Sequence, residues 1–464
     1  MSWRLFIFGL CFVSHLAWAA TDSFEGFISA GENHFRLGQF HLALADLQSA
    51  QKLAITPEQT AQINGMLGLA YSQMSDCTEK PDDSLRKAID SGLGSIQDRV
   101  HWLVAYAELL VGQGKIAEAR NHYARAVKLA DKNQGLSIYI LLSQAYLFPP
   151  DQQLAKFQRI YDNLDNSIDP AERAGNLIDL GFQAMQLPNE TGLKLAFESF
   201  AQARRMTEGQ QPRLFAESLN GLAQLYEDQG RDDEALRLTH QALQSVKNTE
   251  ARDLLLDLEW RQGRLFLIKQ QKPEALIAYQ HAVEHLEAIR QDIPVKYNKG
   301  HSSFLEKLGP VYLKLADLLL AQASQLQDGE RKTGILRHTR ETVELLKQAE
   351  LEDFLGGRCG VYSNKSELDK MDKEEATTTA ILYPILLEER LELLVSIGNE
   401  IKQYTQPVNA ATLKDLTIEL VGDLRKNSQQ KDGKLSAKDL YDWLIAPIEP
   451  WLHERGIKTL VMVR

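Results

Sequence analysis

The stretch Leu219 to Ala242 reads LNGLAQLYEDQGRDDEALRLTHQA and carries the pattern from which most of this 464-residue chain is built. Its first half places apolar or small side chains at i, i+3, i+4 and i+7, the spacing of one helix face. These residues are Leu219, Leu222, Ala223 and Tyr226. After Gly230 the small residues Ala235, Thr239 and Ala242 predict a second helix that approaches the first closely. Since such a hairpin cannot bury both apolar faces alone, stacked copies are expected.

The same template recurs elsewhere in the chain. Forty residues later it is occupied by Gly263, Phe266, Ala275, Tyr279 and Ala282. One earlier copy consists of Leu103, Tyr106, Ala107, Leu110, Gly114, Ala119, Tyr123 and Ala126. Another consists of Phe27, Ala30, Gly31, His34, Gly38, Phe40, Ala43, Leu47 and Ala50. Less regular copies are expected between these, one of them interrupted at Pro149-Pro150.

This order of large, small and aromatic positions resembles the tetratricopeptide repeat (TPR), whose period is about 34 residues. The resemblance implies a mainly α-helical protein, a solenoid of helical hairpins. We predict that the array occupies residues 20–290 and that helices continue it over 291–355. The spacing between the two adjoining regular copies is nearer forty, which indicates longer helices than the family minimum.

In a stack of such hairpins the first helices line a concave groove, which in TPR proteins holds a peptide or a partner's helix. The template positions that face the groove are Asn220, Gln224 and Glu227 in one copy and Trp260, Arg264 and Leu267 in the next. The sequence leaves a plain alternative open, because polar residues often form only a solvated helix face and a tryptophan often packs internally. The expected partner is a protein or peptide.

The amino terminus predicts export. Residues 1–19 contain one charge, Arg4, then an apolar run and the sequence Ala17-Trp18-Ala19, the pattern of a cleaved signal peptide. The alternative is a membrane anchor, but the apolar run is far shorter than the roughly 20 residues that span a bilayer. We therefore expect a periplasmic or secreted protein if the source is bacterial, with no stable membrane insertion after cleavage.

Charge and cysteine content restrict the partners and cofactors. The formal net charge is −11, and loss of Arg4 makes it one unit more negative, so nucleic acid is not an expected partner. Cys77 and Cys359 are more simply read as separate free thiols, although export would permit a disulfide. Neither lies in a metal-binding spacing, and we predict no metal and no cofactor.

A different pattern begins after a polar linker predicted at 356–378. Residues 379–464 predict a small α/β segment that starts with three short strands joined by turns. Helices follow from about Ala411, with Ser436 as a helix cap and bends at Pro447 and Pro450. The chain then enters the apolar strand Ile457–Val463.

This tail resembles the opening part of CHAT domains, caspase-like cysteine peptidase domains that are commonly joined to TPR arrays. The resemblance covers about Leu345 to Val463 and is carried by ELEDFLGG at 350–357, YPILLEERLELLVS at 383–396 and LYDWLIAPIEPWLHERGIKTLVMV at 440–463. In that family the catalytic His and Cys follow the final strand. Cys359 and His453 do not match those positions, so we expect no catalytic residues in these 464 residues and an incomplete caspase-like domain.

Two functions follow from these resemblances. The favoured hypothesis is a protein-interaction scaffold of an exported, CHAT-type protein. The alternative is the regulatory, N-terminal part of a caspase-like cysteine peptidase whose catalytic His and Cys lie beyond residue 464. A lone final strand would expose unpaired backbone groups. Deletion of Lys431–Arg464 is therefore predicted to leave the array folded and to improve solubility.

Overall fold

The computed structural model describes residues 23–74, 81–131, 133–164, 168–294, 302–355, 378–425 and 431–463. The chain divides into two compact units, one that ends at Ser303 and one that begins at Phe304. The predicted signal peptide, Cys77, Cys359 and nearly all of the predicted linker lie outside the described residues.

The first unit is a TPR-like solenoid of helical hairpins, which confirms the predicted fold class. The first helices of the hairpins are α1 Phe24–Arg36, α3 Pro57–Gln73, α5 Ile96–Gly112, α7 Gln134–Ser143, α9 Pro170–Met185, α11 Pro212–Asp228 and α13 Arg252–Ile268. The second helices are α2 Phe40–Gln51, α4 Pro81–Ser91, α6 Ile116–Ala130, α8 Pro150–Asp162, α10 Glu190–Thr207, α12 Asp232–Val246 and α14 Lys272–Ile289. The α7–α8 pair is irregular because a 3-10 turn, Ala145–Leu147, separates its helices before Pro149-Pro150.

The small position of the repeat receives a large side chain from the second helix. Gly31, Gly68, Gly181 and Gly263 lie against Leu47, Leu85, Phe200 and Tyr279 respectively. A Cβ atom at Gly181 or Gly263 would lie within 3.0 Å of the facing aromatic ring. The alternation of small and aromatic residues in the sequence is therefore a packing requirement within each hairpin.

The turns within four hairpins share one C-capping geometry. At α11, the Gly230 N–H donates to Glu227 O and the Arg231 N–H to Tyr226 O, the paired bonds of a Schellman motif. This geometry places the residue at Gly230 in the left-handed region, with φ 69°. Gly38 and Gly114 have the same role, but Gln270 occupies the position after α13 with φ 59°.

Replacement of Gln270 by glycine is expected to stabilise the first unit. The left-handed conformation costs a residue with a Cβ about 1–2 kcal/mol, part of which is offset by the greater backbone entropy of unfolded glycine. We expect a net gain of about 0.5–1 kcal/mol, measured by urea unfolding. Gln271→Gly is the matched control, because Gln271 has φ −90° and should gain nothing from the change. An equal gain in both variants would contradict the explanation.

A contact between distant residues joins the first hairpin to the end of the array within this unit. The backbone N–H of His41 on α2 donates to Asp292 Oδ1 at 2.8 Å, and His41 Nδ1 lies 2.9 Å from the same carboxylate. Asp292 closes a 3-10 turn, Arg290–Asp292, that follows α14, and it is 1% exposed. The hydrogen bond to Asp292 raises the pKa of His41.

Stability of the first unit is expected to depend on pH through His41. A raised pKa in the folded state means that the stabilisation is fully present below the ordinary histidine pKa of about 6.5 and is lost as pH rises through the folded value. The side chain of His41 is 35% exposed, so screening limits the effect to about 1 kcal/mol. Urea unfolding should show a larger difference between the unsubstituted chain and His41→Ala at about pH 5.5 than at about pH 8.5. A difference that does not change with pH would contradict this ion pair.

The second unit is a mixed four-stranded sheet with helices on both faces. A π-helical turn, Phe304–Leu308, leads into it. Its helices are α15 Gly309–Ser324, α16 Glu330–Leu355, α17 Ala410–Arg425, α18 Lys431–Leu444 and α19 Glu449–Glu454. Its strands are β1 Thr379–Leu386, β2 Leu391–Ile397, β3 Glu400–Gln406 and β4 Thr459–Met462. The sheet order is β3-β2-β1-β4, with antiparallel pairs except for the parallel β1–β4 pair.

Alternate residues of the strands supply two separate cores in this unit. Tyr383 and Ile385 pack with side chains of α15 and α16, whereas Leu382 and Val395 pack on the other face with Ile448 and Trp451. The helices predicted as a continuation of the array at 291–355 thus belong, from Phe304 onwards, to the compact unit that contains the sheet.

The prediction of a lone final strand is wrong. β4 pairs with β1 in register from Thr379↔Thr459 to Leu382↔Met462. It remains an edge strand with exposed side chains, including Val461 and Met462. The three preceding strands lie where the sequence predicted them. None of the helices in the described ranges is both long and apolar enough to cross a bilayer.

Candidate functional site

The six predicted groove residues lie on two neighbouring first helices, and a residue that sequence reasoning missed joins most of them. Asn220, Gln224 and Glu227 follow one another on α11, and Trp260, Arg264 and Leu267 lie on α13. Between these helices is Arg261, which is 5% exposed. We call Arg261 with Asn220, Gln224, Glu227 and Arg264 the Arg261 network.

Every nitrogen of the Arg261 guanidinium has an acceptor on α11. Nε donates to Glu227 Oε2 at 2.9 Å and Nη2 to Gln224 Oε1 at 2.7 Å. Nη1 donates to the backbone oxygen of Asn220 at 3.2 Å and also to its Oδ1. Burial lowers the pKa of Arg261, and the Glu227 carboxylate opposes that change. The network therefore satisfies a buried charge between two repeats.

The remaining predicted residues on α13 lie at the edge of this network. Arg264 binds Glu227 through two hydrogen bonds of 3.0 Å each, and its guanidinium lies 4.9 Å from the centre of the Trp260 ring. Leu267 is half-buried and lies further along the same helix. The binding role of the six residues stays a prediction, but four of them already hold a partner in the adjacent repeat.

A second ion-pair cluster also connects α11 with α13. Arg213 Nη2 donates to Asp253 Oδ2 at 2.6 Å, and Arg213 Nε donates to Glu217 Oε1 at 2.9 Å. These side chains are only 13–22% exposed. The charges of Arg213, Arg261 and Arg264 are thus matched by carboxylates of these two helices.

At the N-terminal end of the first unit, the first helices enclose a cavity of about 180 Å³, which we call the N-terminal cavity. It lies among α1, α3 and α5, with one side chain from α2. Its apolar lining consists of Phe35, Leu47, Met66, Leu69 and Trp102. Its polar lining consists of Ser29, Glu32, Arg36, Gln62, Asp98 and His101.

Two carboxylates of the N-terminal cavity are close enough to influence each other. Burial raises the pKa of Glu32, and the negative charge of Asp98 raises it further. Asp98 accepts a hydrogen bond from the Ser95 hydroxyl at 2.6 Å at the start of α5. Within the described ranges, Glu32 makes no hydrogen bond or ion pair. The charge of Arg36 lowers the pKa of Glu32 but does not offset burial and Asp98, so the carboxylate of Glu32 is less well compensated than that of Glu227.

The histidine of the N-terminal cavity contributes an uncharged wall at neutral pH. Burial lowers the pKa of His101 to about 4, so its ring is uncharged at pH 7. The ring packs 5.0 Å from that of Tyr139 on α7. Arg36 donates to Asn33 Oδ1 at 3.1 Å on its own helix. The lining thus combines apolar side chains and an uncharged imidazole with the carboxylates of Glu32 and Asp98 and the guanidinium of Arg36.

A further carboxyl group, Glu108, lies two turns beyond His101 on α5. It is half-buried, and burial raises its pKa to about 8. The group is therefore mostly protonated at pH 7 and adds little negative charge to this face. Among the described residues, no group of three or more His, Cys, Asp or Glu side chains is arranged to hold a metal ion.

The sequence carried one overlooked signal for the Arg261 network and none for the N-terminal cavity. Arg261 comes forty residues after Gly221, at the template position that packs against the preceding repeat. An arginine at that buried position requires hydrogen-bond acceptors, and the preceding repeat contains the carboxylate of Glu227. Glu32 and Asp98 are separated by a whole repeat, so their proximity depends on how α1, α3 and α5 stack.

His453 does not form part of a catalytic pair in the described residues. Its side chain is 81% exposed and lies 3.8 Å from Glu449 on the same helix. Cys359, the other residue considered for such a pair, lies outside the described residues.

Comparison with known proteins gives only distant structural similarity. No family model matches the chain, and none of the curated proteins matches it. Similar solved structures include the human IFIT1 dimer with PPP-AAAA, at 16% identity and a TM-score of 0.46, over 72% of this chain and 71% of that chain. The human IFIT1 dimer with m7Gppp-AAAA is similar at 15% identity and a TM-score of 0.43, over 70% of each chain. The TPR domain of P58(IPK) is similar at 15% identity and a TM-score of 0.21, over 59% of this chain and 77% of that chain.

Proposed function

We propose that this chain is a protein-binding scaffold whose first helices hold a segment of a partner protein. The observation that carries this proposal is the N-terminal cavity, which is walled mainly by first helices and combines apolar depth with carboxylates. Such a combination fits one side chain of a bound segment, because pockets of this kind anchor interfaces. Polar side chains on the neighbouring first helices would orient the remainder of the segment.

The test is selection of peptides that bind the full chain, followed by hydrogen exchange to map where they bind. Peptide binding should slow exchange in first helices, above all α1, α3 and α5, and leave the exposed faces of the second helices unchanged. Failure to select any binding peptide, or protection confined to second helices, would contradict the proposal. Single-stranded RNA of mixed sequence is a necessary comparison, since tight RNA binding would favour another function.

The finer proposal is that the scaffold belongs to an exported protein with a CHAT-type tail. It is supported by the apolar amino-terminal run with Ala17-Trp18-Ala19 and by the order of hairpin, helices and strand after residue 378. Expression with residues 1–19 in a bacterial host tests export, because the periplasmic fraction should contain a chain that begins near residue 20. Retention of the full-length chain in the cytoplasm would contradict export.

The second candidate is that this chain is the regulatory part of a caspase-like cysteine peptidase. The same resemblance supports it, and the catalytic His and Cys would then be encoded beyond codon 464. Sequencing of the gene past that codon decides between the candidates. A stop codon without a downstream frame encoding both residues would leave the scaffold, whereas thiol-dependent peptide cleavage by the 464 residues alone would contradict both candidates.

A further inference from the structure

We infer that the N-terminal cavity binds a partner segment through an aliphatic or aromatic side chain directly beside a lysine or arginine. The inference rests on the proposed scaffold function and specifies the chemistry of its partner. The apolar side chain would enter the space between α1, α3 and α5, and the cation would lie between Glu32 and Asp98.

The size and lining of the cavity determine which apolar side chain of the ligand can enter it. A cavity of about 150 Å³ lined by apolar side chains can hold a benzene molecule. The N-terminal cavity, at about 180 Å³, is of that order and is lined by Phe35, Met66 and Trp102 among others. One leucine, methionine or phenylalanine side chain is therefore the appropriate occupant, and a bulky folded surface is not.

The charges of the cavity lining determine the sign of the charged group on the ligand. Glu32 and Asp98 repel each other across the cavity, and a cation placed between them would relieve this repulsion. The imidazole of His101 is neutral at pH 7. Arg36 donates to Asn33, and its positive charge lowers the pKa of Glu32. The two carboxylates of the lining nevertheless outnumber this arginine. An anionic group at the same place would meet two carboxylates in a partly buried site, which is unfavourable.

The contrast with the Arg261 network indicates why the ligand belongs at this end of the unit. Glu227 is neutralised by two arginines within the protein, at 2.9 and 3.0 Å. Glu32 has no hydrogen-bonded arginine in the described part of the chain. The charge of Arg36, one turn along α1, lowers its pKa, but burial and the charge of Asp98 raise it by more. A cationic ligand gains most where the carboxylate has not yet been neutralised.

The experiment measures binding of three capped peptides to the full chain by isothermal titration calorimetry. The probe has a central Leu-Lys pair in a Gly/Ser background, and its counterparts have Leu-Glu or Gly-Lys. We expect the Leu-Lys peptide to bind best and both changes to weaken binding by about tenfold or more. Equal binding of the Leu-Glu peptide, or no binding of Leu-Lys up to millimolar concentrations, would overturn the inference.

Variants separate this cavity from other sites in the groove. Glu32→Gln/Asp98→Asn should weaken Leu-Lys binding about tenfold, and Gln62→Lys should weaken it similarly by placing a competing amine in the cavity. The matched control is Glu118→Gln/Glu274→Gln, which removes the same charge at exposed positions on second helices and should not alter binding. Circular dichroism melts check that each variant folds.

The outcomes also separate this inference from the proposed function. If selected peptides bind to first helices but are insensitive to the Glu32/Asp98 and Gln62 variants, the cavity assignment fails and the scaffold function stands. If no peptide binds to any first helix, the scaffold function itself fails.

Discussion

Alanine in place of Arg261 is expected to lower the free energy of unfolding of the first unit by about 3–5 kcal/mol, the cost of breaking a buried ion pair by removing one partner. The loss of the attraction between Arg261 and Glu227 is only one part of this cost. Glu227, Gln224 and the oxygens of Asn220 would lose a donor in a place where water reaches them poorly. Urea unfolding followed by circular dichroism measures the change, and hydrogen exchange should show that loosening is greatest at α11 and α13.

Two further variants test whether the geometry of the Arg261 guanidinium accounts for this loss of stability. Arg261→Lys keeps the charge but cannot reach three acceptors at once, so it should recover only part of the lost stability. Arg237→Ala removes an exposed arginine from α12 and should change stability by less than about 0.5 kcal/mol. A loss at Arg261→Ala no larger than at Arg237→Ala would show that the network contributes nothing.

Deletion of Lys431–Arg464 is expected to leave the first unit folded but to make the remaining chain less soluble. The sequence alone predicted the opposite effect on solubility, because it treated the last strand as unpaired. The deleted segment contains Ile448 and Trp451, which are 0% and 4% exposed and cover Leu382 and Val395 of the sheet. Removal of this cover exposes an apolar sheet face, a surface prone to aggregation. Light scattering and circular dichroism melts of the two chains measure both effects.

A single substitution tests the same core without shortening the chain. Trp451→Ala should destabilise the second unit by about 3–5 kcal/mol, as expected for loss of a buried tryptophan. Phe354→Ala is the control, since Phe354 lies in the same unit but is 84% exposed. If the deletion increased solubility and Trp451→Ala were as stable as Phe354→Ala, the role assigned to this core would be wrong.

Local pattern was sufficient for the helical hairpins and for the first three strands. The i, i+3, i+4, i+7 spacing identifies a helix face within a dozen residues, and period-two runs between turn residues identify strands. The small position in each repeat was visible for the same reason, since it recurs as Gly31, Gly181 and Gly263. The exception is the turn at Gln270, where a glycine would be expected and the chain accepts backbone strain instead.

The candidate site was only partly visible in the sequence. Template register correctly placed Asn220, Gln224 and Glu227 along α11 and Arg264 on α13, but it could not show that Arg261 binds three of these residues. Register gives the face of a helix on which a residue lies, whereas a hydrogen-bond partner depends on the distance and angle between two helices. The N-terminal cavity has the same origin, since it arises from three first helices and not from any one of them.

The sequence by itself determined that this chain forms a solenoid of helical hairpins followed by a small α/β segment, because helix and strand periodicities are encoded within short windows. Only the tertiary structure decided which distant residues meet. His41 and Asp292 are 251 positions apart. Glu32 and Asp98 line one cavity although a whole repeat separates them in the sequence, and β4 returns to lie parallel to β1. The physical reason is that such contacts depend on the distances and angles between packed elements, and in the helical array small rotations between repeats accumulate. No local spacing specifies this geometry, nor does it specify which two strands pair in a sheet.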